Sequence, residues 1–149
     1  DLAPPRDPNE IDAAAMARVV EALNALRMND PDRLGDWFGR FITTYRAAGD
    51  VAPPPQQRSR IELEWDLEHG ARLYRHPFSR LAWRRARKGA TLFCTGADYA
   101  LPVADARWLA AAESIDGAGY AGLSEAGRDT VMALVAQGHY QLGMAEDEE

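Results

Sequence analysis

The sequence predicts an α+β fold, in which an N-terminal helical hairpin precedes a module built around a small antiparallel sheet. Three observations carry that expectation. Apolar residues recur at helical spacing over Glu10–Met28 and again over Pro31–Arg46; the triple proline Pro53-Pro54-Pro55 then interrupts the chain; and beyond Gly70 the pattern shortens to strand-length runs divided by glycine turns. A 3.6-residue period, a stiff break and a run of short extended segments mark successive structural regimes.

The elements follow in order. Residues 1–9 read as a proline-punctuated linker. Asn9 can cap the first helix, with Glu10 and Asp12 where the positive end of the helix dipole favours acids. Its apolar stripe is Ile11, Ala15, Val19, Leu23 and Leu26, widened by Met16 and Val20. Asn29-Asp30-Pro31 makes the break. Asp30 can cap the second helix, and Pro31 suits its first position, where an N–H has no intrahelical partner to lose. This helix, running to about Arg46, is expected to bury Leu34, Trp37, Phe38, Phe41, Ile42 and Tyr45 on one side. Gly35 and Gly39, four residues apart, would admit another helix at close range. Gly49 ends it, and the prolines give an extended connection.

A third helix is expected over Ser59–His69, carrying Ile61, Leu63, Trp65 and Leu67 and closed by Gly70. Strands follow at Ala71–His76, Arg80–Arg85, Thr91–Thr95 and Tyr99–Pro102, with turns at Lys88-Gly89 and Gly96-Ala97-Asp98. A helix over Asp105–Glu113 leads into a flexible loop containing Gly117, Gly119 and Gly122. Ser124 can cap a last helix that buries Leu123, Val131, Leu134 and Val135; Gly127 three residues on excludes a capping box. Gly138 stops this helix and His139–Leu142 closes the chain as a strand. Helices and a small antiparallel sheet in this order suggest a winged-helix-like module over residues 58–143, after a helical region over 10–57 and before an acidic tail at 144–149.

Composition narrows the function classes. The apolar fraction is 46% and the charged fraction 27%, the balance of an ordinary globular protein. The net charge of −6 repels phosphate backbones and anionic membranes. Cys94 is the only cysteine, which excludes an internal disulfide and fits a reducing cytoplasm. No apolar run approaches the roughly 20 residues that span a bilayer. The start at Asp1, in a proline-rich stretch, reads as a linker following another domain.

Candidate chemistry is sparse. His69, His76 and His139 are followed by Gly70-Ala71, Pro77-Phe78 and Tyr140-Gln141, so none opens an H-x-D/E pair, and no paired Cys/His spacing exists. They read as surface or turn histidines, and no metal ligand is assigned. Cys94, between Phe93 and Thr95, has no neighbouring base and reads as a buried or half-buried thiol. Gly117-x-Gly119-x-x-Gly122 follows a helix instead of a strand, the wrong context for a dinucleotide. Arg72, Arg75, Arg80, Arg84, Arg85, Arg87 and Lys88 could contact RNA or an acidic partner, but strand alternation scatters them over two faces. The last helix bears Glu125 and Asp129 against Arg128, a poor groove reader, so specific nucleic-acid binding is not expected. No catalytic or cofactor-binding residue is assigned.

The aromatics of the second helix exceed what two helices enclose. They point to a homodimer whose interface comprises Leu23, Leu26, Leu34, Trp37, Phe38, Phe41, Ile42 and Tyr45, because Trp and Tyr are enriched at interface hot spots and two-fold dimers are the commonest assembly.

The stretch DRLGDWFGRFIT followed by DVAPPP, with DPNEID upstream and HGARLYRH downstream, resembles bacterial JmjC-type ribosomal oxygenases. The resemblance implies the helical dimerisation region and C-terminal winged helix of an iron- and 2-oxoglutarate-dependent enzyme that hydroxylates an arginine of a ribosomal protein. It implies that the H-x-D…H iron ligands, Fe(II) and 2-oxoglutarate belong to a cupin domain lying outside these residues. A cytoplasmic homodimer, with a ribosomal protein as the parent's substrate and no membrane partner, follows. The rival readings are a free-standing winged-helix regulator that binds nucleic acid, and a small enzyme with a dispersed site.

Overall fold

The computed structural model describes residues 13–25, 30–44 and 51–144, which divide into two compact units, one ending at Asp36 and one beginning at Trp37. The cap at Asn9, the stop at Gly49, and Ile11, Leu26, Met28 and Tyr45 lie outside the described residues. Of the acidic tail expected at 144–149, Met144 ends a strand and the rest lies outside them.

The first unit contains α1 (Ala13–Ala25) and the first turns of α2 (Pro31–Thr44). On α1, Val19 and Val20 are half exposed and Leu23 is half buried. The start of α2 is as the residues dictate: the Asp30 carboxylate accepts the Asp32 N–H at 3.0 Å, and Pro31 takes the first helical position.

The second unit carries the rest of α2 and then α3 (Arg60–Glu68), β1 (Ala71–Arg75), β2 (Leu81–Arg85), β3 (Ala90–Cys94), β4 (Ala97–Leu101), α4 (Val103–Ala111), β5 (Ser114–Ile115), α5 (Gly117–Ala121), α6 (Glu125–Ala136) and β6 (Tyr140–Met144). With α1 and α2 this is a winged-helix-like α+β fold of six helices among the described residues. Two antiparallel sheets, ordered β5-β1-β6 and β2-β3-β4, replace the single sheet expected. The reason lies in β1, whose two edges are taken: Leu73 pairs with Ile115 on one side and Leu142 on the other. Nothing is left for β2, which follows a turn at His76–Ser79 and pairs instead with β3, Trp83 opposite Leu92.

Local signals set the helix ends. Ser59 and Glu62 form a reciprocal capping box at α3, and Gly70 closes it at φ +92°. Leu63 and Leu67 of α3 are buried, whereas Ile61 and Trp65 are 81% and 59% exposed. The glycine-rich stretch expected as a loop is the short helix α5, capped by Asp116, whose carboxylate accepts the Gly119 N–H at 2.7 Å. Gly117 is needed there because a Cβ would stand 2.6 Å from the Leu67 carbonyl of α3. The helix expected over Asp105–Glu113 begins two residues earlier, at Val103, directly after Pro102. Ser124 caps α6 by accepting the Gly127 N–H at 3.2 Å, and Leu123, Val131, Leu134 and Val135 are buried as expected. Strand β6 begins at Tyr140, because the His139 N–H still bonds back to Leu134.

One histidine departs from expectation. His139 is only 6% exposed, with its Nδ1 2.8 Å from the buried Ser79 hydroxyl, and its backbone carbonyl accepts the His76 N–H. Burial, then the neighbouring His76 charge, pushes its pKa below the ordinary value. The core lies between α3, β1, β3, α4 and α6, around Leu63, Leu73, Leu92, Leu109, Val131 and Leu134.

Candidate functional site

Within the second unit, the part of α2 from Trp37 onward packs through its small residues. At ~100° per residue, Gly39 and Thr43 fall on one side of the helix, away from Trp37, Phe38, Phe41 and Ile42. Gly39 faces the Phe93 ring of β3 so closely that a Cβ would stand 2.4 Å from it. Thr43 is 1% exposed; its hydroxyl donates to the Gly39 carbonyl at 2.9 Å and accepts the Gly96 N–H at 3.1 Å. Arg40 adds an ion pair with Asp98 of β4 at 2.7 Å. The Gly96 N–H is positioned by a two-residue turn between β3 and β4, whose Thr95 and Gly96 have φ of 45° and 86°. Positive φ at both central residues is what a type I′ hairpin requires.

The burial expected for the aromatic side of α2 is therefore reversed within the chain. Trp37, Phe38, Phe41 and Ile42 are 41, 52, 45 and 38% exposed, and the buried residues of α2 are Gly39 and Thr43. The close approach permitted by Gly39 is used by a strand phenylalanine, not by another helix. Trp37 and Phe41 stack on each other with ring centroids 5.2 Å apart, a pre-ordered apolar patch. Of the remaining candidates, Leu23 and Leu34 are half buried in the first unit, while Leu26 and Tyr45 lie outside the described residues. Sequence reading missed Thr43, Phe93 and the Arg40–Asp98 pair, which join positions more than fifty residues apart and leave no local pattern.

The other reactive side chains are committed to structure. Cys94, at the end of β3, is 1% exposed, and burial pushes its thiol up to about 11, so little thiolate forms near neutrality. Arg75 turns inward, and its Nη2 donates to the carbonyls of Leu109, Ala110 and Ala112 at 2.8, 3.1 and 2.6 Å. It thereby satisfies carbonyls that the end of α4 leaves open. A polar cleft of about 530 Å³ lies beside it, lined by Tyr74, His76, Ser79, Glu113 and Ser114. Among the described residues no three His, Cys, Asp or Glu side chains gather as metal ligands. No described helix is long and apolar enough to cross a membrane.

Comparison with known proteins agrees with this architecture. The model of the ROXA-like winged helix family matches residues 25–141. An X-ray structure of E. coli ycfD superposes with a TM-score of 0.67 at 23% identity, covering 96% of this chain and 38% of that one. The structure of YcfD, a ribosomal oxygenase from Escherichia coli, in complex with cobalt and 2-oxoglutarate gives 0.64 at 24% identity, covering 95% and 39%. The chain thus spans less than two-fifths of the length of these structures, and the likeness is one of fold. A search among curated proteins gave no match. With the family model covering most of its length and the sheets and helices in the matching arrangement, this chain belongs to the ROXA-like winged helix family.

Proposed function

We propose that this chain is the dimerisation and winged-helix part of a cytoplasmic Fe(II)- and 2-oxoglutarate-dependent ribosomal-protein arginine hydroxylase, and that it is non-catalytic by itself. Its role is to hold two catalytic domains in a fixed relation while the iron and 2-oxoglutarate are bound elsewhere in the parent protein. Family membership and the E. coli ribosomal oxygenase fold support the parent's identity. The observation that carries the assembly role is the exposed patch of Trp37, Phe38, Phe41 and Ile42 on a helix whose opposite side is fixed by Gly39 and Thr43. Apolar side chains that stay 38–52% exposed gain from a partner copy, and aromatic anchors dominate such interfaces.

Light scattering on the purified chain at tens of micromolar should give about twice 16.4 kDa. Trp37→Ala should weaken the dimer by about 2 kcal/mol, roughly thirty-fold in Kd, and Arg87→Ala should leave it unchanged. A strict monomer, or equal effects from both substitutions, overturns the assembly role. The parent's identity is tested separately, since the reading frame upstream of Asp1 should encode an H-x-D…H cupin.

A further inference from the structure

We infer that the β2–β3 hairpin tip and the adjoining side of α4 form a contact surface for the phosphate backbone of RNA. Four cations gather there: Arg85 at the end of β2, Arg87 and Lys88 in the turn, and Arg107 on α4. The guanidinium carbons of Arg85 and Arg107 lie 5.7 and 5.4 Å from the centroid of the same ring, that of Trp83. All four cations are exposed, and none forms an ion pair among the described residues.

Elsewhere in the unit five arginines among the described residues are paired with acids. Arg40 pairs with Asp98, Arg58 with Asp66, Arg72 with Asp116, Arg60 with Glu64, Glu125 and Asp129, and Arg128 with Glu125. Acids outnumber bases, 23 to 17, in the whole chain, so the group at the hairpin tip reflects segregation and not excess of positive charge. Its like charges repel, and a polyanion lying across them removes that repulsion.

The geometry selects among polyanions. The hairpin tip is exposed from Arg85 to Gly89, so it suits a regular line of charges better than a peptide that needs an enclosing groove. Guanidinium forks match phosphate oxygens, and Arg supplies three of the four cations. The helix that could read bases, α6, has Glu125 and Asp129 tied to Arg60, so the contact is with backbone and carries no sequence preference. The choice of RNA over DNA rests on the ribosomal reading proposed above.

The test is fluorescence anisotropy of a short labelled RNA hairpin with the full 149-residue chain at about 50 mM salt, where counterion release favours binding. Binding should weaken steeply with salt. The double substitution Arg87→Ala, Lys88→Ala should lower affinity at least about tenfold and flatten the salt slope by roughly 0.7–0.9 for each phosphate no longer neutralised. Arg80→Ala removes an exposed cation at the other end of β2 and should change affinity less than about twofold, and all variants should melt like the parent chain. Absence of binding at tens of micromolar overturns the proposal, as does an equal weakening from Arg80→Ala. Tighter binding of duplex DNA or of polyglutamate overturns it too, and assigns the tip to DNA or to an acidic protein. Light scattering on the same samples separates the two readings: a dimer that ignores RNA sinks only the hairpin surface, and a monomer that binds RNA sinks only the assembly role.

Discussion

Replacing Gly39 by alanine tests how α2 is seated, because two opposing effects can be sized. In an unencumbered helix the change stabilises by about 0.8–1.0 kcal/mol, since glycine loses more backbone entropy on folding. Here the new Cβ would stand 2.4–2.5 Å from three carbons of the Phe93 ring, against ordinary carbon contacts of about 3.5–4.0 Å. Ring or helix must retreat by about 1 Å, and Phe93 is 1% exposed, so the ring has no open space to enter. Overpacking of this kind costs about 1–3 kcal/mol, which outweighs the helix gain. Gly39→Ala should therefore lower stability by up to about 2 kcal/mol, read as a fall in melting temperature of roughly 2–4 °C per kcal/mol in a chain of this size. Phe93→Leu should destabilise on its own but less so in the Gly39→Ala background, a coupling of roughly 0.5–3 kcal/mol in a double-mutant cycle. Urea or thermal unfolding followed by circular dichroism measures all four proteins. A Gly39→Ala protein that melts higher than its parent, with additive effects at the two sites, would refute the seat on Phe93 and with it the reason the aromatic side of α2 faces outward.

Two further outcomes follow from buried polar groups. His139 has its pKa lowered by burial, so the unfolded chain binds a proton more readily than the native one. The stability it contributes is complete above the unfolded value of about 6.5 and is lost as pH falls from there toward the lower native value; the melting temperature should drop between pH 7.5 and 5, and His139→Gln should flatten that drop. Asp105, 7% exposed, accepts the Ser124 N–H at 3.1 Å and the Ser124 hydroxyl, joining α4 to the cap of α6; Asp105→Ala should cost about 1–3 kcal/mol by leaving those donors unsatisfied, and a change within error in urea unfolding would contradict that bond.

Local chemistry was legible in the sequence to the extent that it acts over a few residues. The cap at Asp30, the capping box of Ser59 and Glu62, and the stops at Gly70 and Gly138 each depend on neighbours within one turn. Their residue types alone announced them, or would have: Glu62 stands three residues after Ser59, a signal present in the sequence but unused. The glycines at 117 and 119 misled, because their reason is non-local. Gly117 is small so that α5 can approach the Leu67 carbonyl, and that requirement exists only after α3 is in place.

By itself, then, the sequence determined the order and type of most elements, the α+β class and the family, because periodicity, caps and turns are written in short range. Tertiary structure alone decided which side of α2 is covered. Hydrophobicity marks Trp37, Phe38, Phe41 and Ile42 as the side to bury, yet Gly39 and Thr43 are what fit against Phe93 and the Gly96 amide, since close packing and a buried hydroxyl's hydrogen bonds depend on distant partners. Steric fit to β3 fixes the small side inward and leaves the aromatic side exposed, and no pattern within the helix contains that information.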